Sequence, residues 1–243
     1  MSTAPLLLVA ASGLAREVLA AVRVRGTHEV VGLLDDNEDL HGSSVGGVRV
    51  LGGIESVADH PDALLVVCAG KGSSRAALVE RLGASPERFA TVLHPTVEVP
   101  GGCTVGPGSV LLSGVVLTAD VTVGSHVVAM PQVTFTHDDV IEDFATFAAG
   151  VSLGGSVRVG RGAYLGMNVS VREGLSVGAG ATVGMGAAVL ASVPGGQTWA
   201  GVPARALRST RDADGVPVGP GGGYGSIDTS RATAGAAGRT DES

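Results

Sequence analysis

The 243-residue chain is short of several things that would otherwise place it quickly. Lys71 is its one lysine, the net charge is −7 and no basic cluster occurs, which argues against a nucleic-acid partner. Aromatic residues make up 3%, so any core must be assembled from Val, Leu and Ala, which suits regular stacking of small side chains. The two cysteines, Cys68 and Cys103, lie far apart in apolar surroundings. They offer neither a disulfide framework nor a zinc-ligand spacing and read as buried thiols in a reducing compartment, so no metal is expected. No stretch is long and apolar enough to span a membrane. The opening "MSTAPLLLVAASGLA" lacks a basic leader region, and "REVLAAVRV" continues it as an amphipathic helix. It therefore reads as a strand and a helix, and the protein as cytoplasmic. What the chain does hold is 39 glycines and a hydrophobic fraction of 44%, too apolar for a disordered chain.

Residues 1–90 alternate strand and helix patterns. "PLLLVAA" fits a central parallel strand, and "REVLAAVR" a helix with Val18, Leu19 and Val22 on one face. "EVVGLLDD" reads as a second strand ending in Asp35 and Asp36, and "ALLVVCAGKG" as a third ending at Gly70 and Lys71. The turn after the first strand carries Ser12, Gly13 and Leu14. Strands followed by glycine-rich turns and helices make a small parallel, Rossmann-like α/β unit, whose carboxyl edge gathers these positions.

From Val99 the pattern changes. Every sixth residue, Val99, Val105, Leu111, Leu117 and so on through Val183 and Val189, is apolar without a break in register. The fourth residue after each is usually small or β-branched, as at Val115, Val121, Val127, Val133 and Val151. A six-residue period sustained this long marks a β-helix, each unit one short strand and one turn, with three units to a triangular coil. The expected organisation is an α/β domain over 1–90, a β-helix over 91–206, and a Gly- and Ser-rich tail over 207–243 that has lost the period and is expected to be disordered.

Three histidines fall in or near the β-helix. His94 precedes Pro95 at the junction, where packing is its natural role. His126 has no acidic neighbour and reads as structural. His137 is the third residue of its unit, at a corner, followed by Asp138 and Asp139. Histidine is the usual base at neutral pH, while the two acids would also suit a plain turn. The phases place His126 and His137 on different edges of the prism. Gly155 lies one full coil beyond His137 and stacks on the same edge.

The repeat resembles that of the left-handed β-helix acyltransferases. The order of "LLLVAASGLAREVL", "VVGLLDDN", "VLGGIES", "LHPTVEV", "THDDVIEDF", "VRVGRGAYLGMNVSV" and "AGVPARAL" is similar to the bacterial sugar acetyltransferases that join a small Rossmann-like domain to such a helix. Members of that family acetylate nucleotide-linked amino sugars, such as bacillosamine and perosamine precursors, or sialic acid. The resemblance implies left-handed winding and acyl transfer from acetyl-CoA to an amino or hydroxyl group of a sugar. It implies His137 as general base, Asp138 as its support and the Gly155 amide as oxyanion donor. It also implies coenzyme A along a groove between subunits of a homotrimer, near Thr146, Gly155, Met167 and Met185. The nucleotide part of the sugar is expected at Ser12, Gly13, Leu14, Asp35, Asp36 and Gly70. The chain departs from the family at Ala10 and Leu14, at Met130 where an Asn is common, and at Thr146 where a His is common. Two other readings of the same helix are a non-catalytic sugar-nucleotide-binding scaffold and a γ-type carbonic anhydrase. The second needs three zinc-binding histidines, which the spacing of His126 and His137 does not supply.

Overall fold

The structure is a computed structural model that describes residues 4–207, with the backbone of 210–211 and 217–218. Its contacts divide the chain into one compact unit, Met1–Leu207, and a second, Arg208–Ser243. In the second unit, Thr210–Arg211 pairs antiparallel with Pro217–Val218. The expectation of disorder over 207–243 otherwise falls outside the described residues.

The first strand, β1 (Ala4–Val9), buries Leu6, Leu7 and Leu8 completely, as a continuous apolar run at the centre of a sheet should. Helix α1 (Gly13–Arg25) follows. Ser12 caps its start, accepting the Ala15 N–H, and Gly26 ends it in the left-handed conformation at φ 69°. Val18, Leu19 and Val22 are its buried face, as the sequence pattern predicts. Then come β2 (His28–Leu34), β3 (Ser44–Val45), β4 (Val48–Gly52), β5 (Leu64–Val67) and α2 (Gly72–Leu82). The sheet order is β3-β4-β2-β1-β5, parallel throughout except for β3 at the edge. The β3–β4 hairpin is absent from the sequence reading. Its turn, Gly46–Gly47 with φ 60° and 82°, is the two-glycine hairpin signal between Val45 and Val48.

β6 (Val92–Leu93) then pairs in parallel with Val110–Leu111 and leads the chain into the β-helix. There, strands pair in parallel with residues eighteen positions on, as in Thr122↔Val140, Val128↔Thr146 and Ser152↔Ser170. Three sheets form the three faces of the prism. The inward column is buried from Leu111 to Val189, with Phe135 and Phe147 meeting edge-on at 4.9 Å. Val99, read as the first inward residue, is instead 39% exposed: it follows β6 in the first coil, at the open end of the prism, where no earlier coil covers it. Every sixth residue from Gly102 to Gly186 has φ between 53° and 90°. A type II turn demands this at its third position, and it explains why so many glycines are needed.

The α/β layer packs on the face that β6 starts. Val110, Leu112 and Val128, pointing outward from that face, are buried in one cluster with Leu14, Val18 and Val22 of α1. Most outward positions of the other faces hold Thr, Ser or Arg, as at Thr122, Ser152 and Arg158. On the docked face Val110, Leu112 and Val128 put apolar side chains in such outward positions.

Candidate active site

His137 and Asp138 occupy the two central positions of one corner turn. Asp138 takes the left-handed place at φ 63°, a conformation Asp tolerates better than most residues. That turn brings the Asp138 carboxylate Oδ2 to 2.8 Å from His137 Nδ1, with both side chains more than half exposed. A carboxylate there accepts from Nδ1, and in the neutral tautomer that donates this bond Nε2 keeps its lone pair. One coil on, Gly155 lies against the imidazole: a Cβ built there would run into Cε1 and Nε2 of His137. The Ser156 N–H donates to the His137 carbonyl at 2.8 Å, fixing this stacking. The Gly155 carbonyl accepts from Gly174 at 2.9 Å, while its N–H donates to no group among the described residues. A base with an open lone pair thus stands beside an unengaged backbone donor, which are two of the three needs of acyl transfer.

Asp139, the next residue, faces inward and is fully buried. Its two oxygens accept the Thr136 and Val157 N–H groups, each at 2.8 Å. Burial pushes its carboxyl up to about 6 against the opposing pull of those amides.

The other positions expected at the site are spread over the molecule. Met167 and Met185 stand on a different corner of the prism, eighteen residues apart, and are 48% and 70% exposed. Thr146 lies on a strand rather than a corner, is buried, and its hydroxyl accepts from Arg75 Nη2 at 2.9 Å. Within one chain, then, His137, Asp138 and Gly155 come together, while Thr146, Met167 and Met185 do not join them.

At the carboxyl edge of the α/β sheet, Ser12 Oγ donates to the Cys68 carbonyl at 2.5 Å. Gly13 is open, with nothing within 4 Å of where a Cβ would stand. Leu14 is committed to the core against the β-helix. Asp35 accepts the Ala11 and Asn37 N–H groups at 2.7 and 2.9 Å. Asp36 accepts from Arg81 at 2.6 Å and from the Ile54 N–H at 3.1 Å, and Arg81 holds its carboxyl below the usual range. Ala10 holds φ 79°, in the left-handed region that favours glycine. Of the cysteines, Cys68 is buried and its thiol pushed up by burial, whereas Cys103 is only half-buried and accepts the Val121 N–H at 3.4 Å.

Sequence reasoning missed Arg75. This α2 side chain is fully buried, and among the described residues no carboxylate pairs with it. Nε donates to the His126 carbonyl at 3.0 Å, and Nη1 to the Ala69 and Gly70 carbonyls at 2.9 and 3.0 Å. Nη2 donates to the Phe144 and Ala145 carbonyls at 2.9 and 3.1 Å, besides Thr146. Burial lowers it to about 10, so it remains charged at neutral pH. His126 shares this junction. It stacks on Phe144 at 5.0 Å, takes Phe89 edge-on at 4.7 Å, and is lowered to about 4 by burial and then by Arg75. It is a neutral packing residue: Asp143, distant in sequence, pulls its value up, but burial and Arg75 outweigh it. His94 is half-buried, its Nδ1 2.9 Å from Thr96 Oγ1. Among the described residues, no three His, Cys, Asp or Glu side chains gather where they could hold a metal ion.

The fold and this corner define a class: hexapeptide-repeat β-helix proteins preceded by a small Rossmann-like domain. Comparison with known proteins narrows it. A family model described as the PglD N-terminal domain matches residues 5–82. A UDP-N-acetylbacillosamine N-acetyltransferase from Bacillus subtilis is 36% identical over 53 residues, 22% of this chain and 24% of that protein. The match therefore spans about a quarter of that relative's length. Among solved structures, the acetyltransferase domain of PglB from Neisseria gonorrhoeae, in complex with acetyl coenzyme A, has a TM-score of 0.78 at 26% identity over 85% of this chain and 100% of that one. PerB from Caulobacter crescentus, in complex with CoA and GDP-perosamine, has a TM-score of 0.77 at 24% identity over 85% and 99%, and bears on the fold alone. Residues 5–82 thus match the PglD N-terminal domain, and the chain shares with the PglB acetyltransferase domain the fold in which such a layer precedes a hexapeptide-repeat β-helix.

Proposed function

We propose that the protein is an acetyl-CoA-dependent acetyltransferase acting on an amino sugar carried by a nucleotide. The observation that carries this reading is the His137–Asp138 pair at 2.8 Å with its free Nε2 set against Gly155. The acceptor nitrogen attacks the thioester carbonyl as Nε2 of His137 takes its proton. Asp138 stabilises the imidazolium that forms. The Gly155 N–H donates to the oxyanion of the tetrahedral intermediate, which collapses by expelling the CoA thiolate. The nucleotide docks at the carboxyl edge of the α/β sheet, where Gly13 and Gly70 leave backbone accessible. Both Asp35 and Asp36 already have partners in that layer, so they shape this edge as much as they contact a ligand. In a homotrimer with coenzyme A between subunits, Met167 and Met185 would line the groove opposite the His137 edge of a second copy, and their exposure on another corner supports that reading. No helix among the described residues is long and apolar enough to cross a membrane, and a cytoplasmic enzyme is the setting in which acetyl-CoA is at hand.

The test is CoA release against a panel of nucleotide-linked amino sugars. His137→Ala is expected to lower kcat by roughly 10²–10⁴, the usual contribution of a general base. If wild type and variant are equally inert across the panel while a sugar nucleotide still binds by calorimetry, the scaffold reading takes its place.

A further inference from the structure

In the β-helix the second residue of each unit sends its N–H to the carbonyl of the coil above. Thr118 donates to Phe135, Met130 to Phe147, Glu142 to Val159, Gly154 to Val171 and Arg172 to Val189. Thr136, the residue before His137, breaks this rule. Its N–H turns away from Leu153 and donates to Asp139 Oδ2 at 2.8 Å. The Leu153 carbonyl is taken instead by the Thr136 hydroxyl, at 3.0 Å. Between these strands the ladder keeps only the Thr134↔Ser152 pair, whereas the same strand holds two pairs with the coil below. The interruption lies directly beside the gap between His137 and Gly155.

Asp139 stands where the repeat places a small apolar residue, with Val121 and Val157 at the same place in neighbouring coils. Two other polar residues at this place, Cys103 and Ser109, each catch the amide eighteen residues on, Val121 at 3.4 Å and Val127 at 3.0 Å. Asp139 does the same with Val157 and adds a second bond back to the base of its own turn. Burying a carboxylate is costly, and the regular ladder needs none. We propose that Asp139 is a positioning residue for His137: together with the Thr136 hydroxyl it holds the ladder open between the coils of His137 and Gly155, and so sets where the imidazole stands against the Gly155 amide. Asp139 acts through His137 and touches no reacting atom. Its catalytic consequence rests on the acetyltransfer reading.

The test compares wild type with Asp139→Val, which matches the neighbouring coils, and Asp139→Ser, which matches Ser109. In both, the Thr136 N–H is expected to return to the Leu153 carbonyl and the His137 ring to shift against Gly155 in crystal structures. Thermal stability is expected to hold or rise. kcat is expected to fall at least tenfold with KM for both substrates within about twofold. Stability and turnover moving in opposite directions is something a merely structural residue would not produce. The proposal is overturned if a folded variant keeps kcat within threefold of wild type, if the loss lies in KM, if turnover falls only alongside melting temperature, or if both variants fail to fold. Should wild type release no CoA from any acceptor, the acetyltransfer reading fails. The crystal structures then decide for Asp139 alone: a closed ladder with a displaced ring upholds it, and an unmoved ring ends it.

Discussion

Asp138 and Asp139 are neighbours with opposite environments, and the difference is one of register. Asp138 is exposed at the corner and its carboxylate faces a ring nitrogen; Asp139 is buried and faces two amides. Asn at 138 tolerates the left-handed turn and can still accept from Nδ1, but it supplies no charge for the imidazolium. Asp138→Asn is therefore expected to lower kcat by about tenfold or more, on the scale of one charge-assisted hydrogen bond, with little change in either KM; wild-type turnover in this variant would show that the carboxylate does not support the ring. For Asp139 the sign runs the other way. Its folded value, about 6, lies above its unfolded one, so the group favours the folded state at low pH and that contribution is lost as pH rises through 6. The charged groups acting on it are His137, which opposes the rise, and Asp138, which adds to it. Asp139→Ser removes this dependence. Its stability relative to wild type should be about 1 kcal/mol more favourable at pH 7.5 than at pH 5, read by urea unfolding at the two values. His137 and Asp138 could be singled out from their slots in the repeat, and so could the oddity of an acid in Asp139's slot. The broken ladder could not, because sequence does not say which oxygen an amide chooses.

The period of six makes the β-helix unusually legible at the scale of elements, since one inward residue and one left-handed turn recur together. The register places Gly155 on His137, and in the structure the glycine lies against the imidazole. The α/β half is less transparent. Its strands are recognisable as apolar runs, but the short β3–β4 hairpin escapes a reading tuned to long runs and helices. The regularity also separates two kinds of glycine. Gly180 holds φ 64° with nothing within 4 Å of a Cβ, so Gly180→Ala meets only backbone strain. It should cost about 1–2 kcal/mol in thermal or urea unfolding and leave turnover unchanged. Gly155 is outside the left-handed region, and its obstacle is the His137 ring. Gly155→Ala should therefore cost turnover rather than stability, with kcat falling at least tenfold. Equal effects on both measures in both variants would mean that glycine serves only the turn at either site.

At the scale of the whole molecule, two layers with different periods have to be joined. Part of that junction is written in the sequence: Val110, Leu112 and Val128 put apolar side chains where most outward slots of the repeat carry Thr, Ser or Arg. The rest depends on Arg75, and nothing around it in "KGSSRAALVERLG" distinguishes it from a solvent-facing helix arginine. In the structure it ties Ala69 and Gly70, at the end of β5, to His126, Phe144, Ala145 and Thr146 of the β-helix. Gly72 at the start of α2 sits so close to the Phe144 carbonyl that a Cβ would strike it, so this approach of the two layers requires glycine. Arg75→Met keeps the apolar stem but leaves buried carbonyls without a donor, at about 1–3 kcal/mol for each unsatisfied group that relaxation cannot rescue. The expected loss is about 3–5 kcal/mol in urea unfolding, and Arg75→Lys should recover only part of it, because an ammonium offers three donors from one point where the guanidinium offers five from a planar fork. Because Gly70 lies at the proposed acceptor edge and Thr146 on the strand beside it, the lysine variant is also expected to raise KM for the sugar nucleotide more than it lowers kcat. A lysine variant with wild-type stability would show that the carbonyls find other partners and that the apolar contact of α1 with Val110, Leu112 and Val128 is enough to hold the layers together.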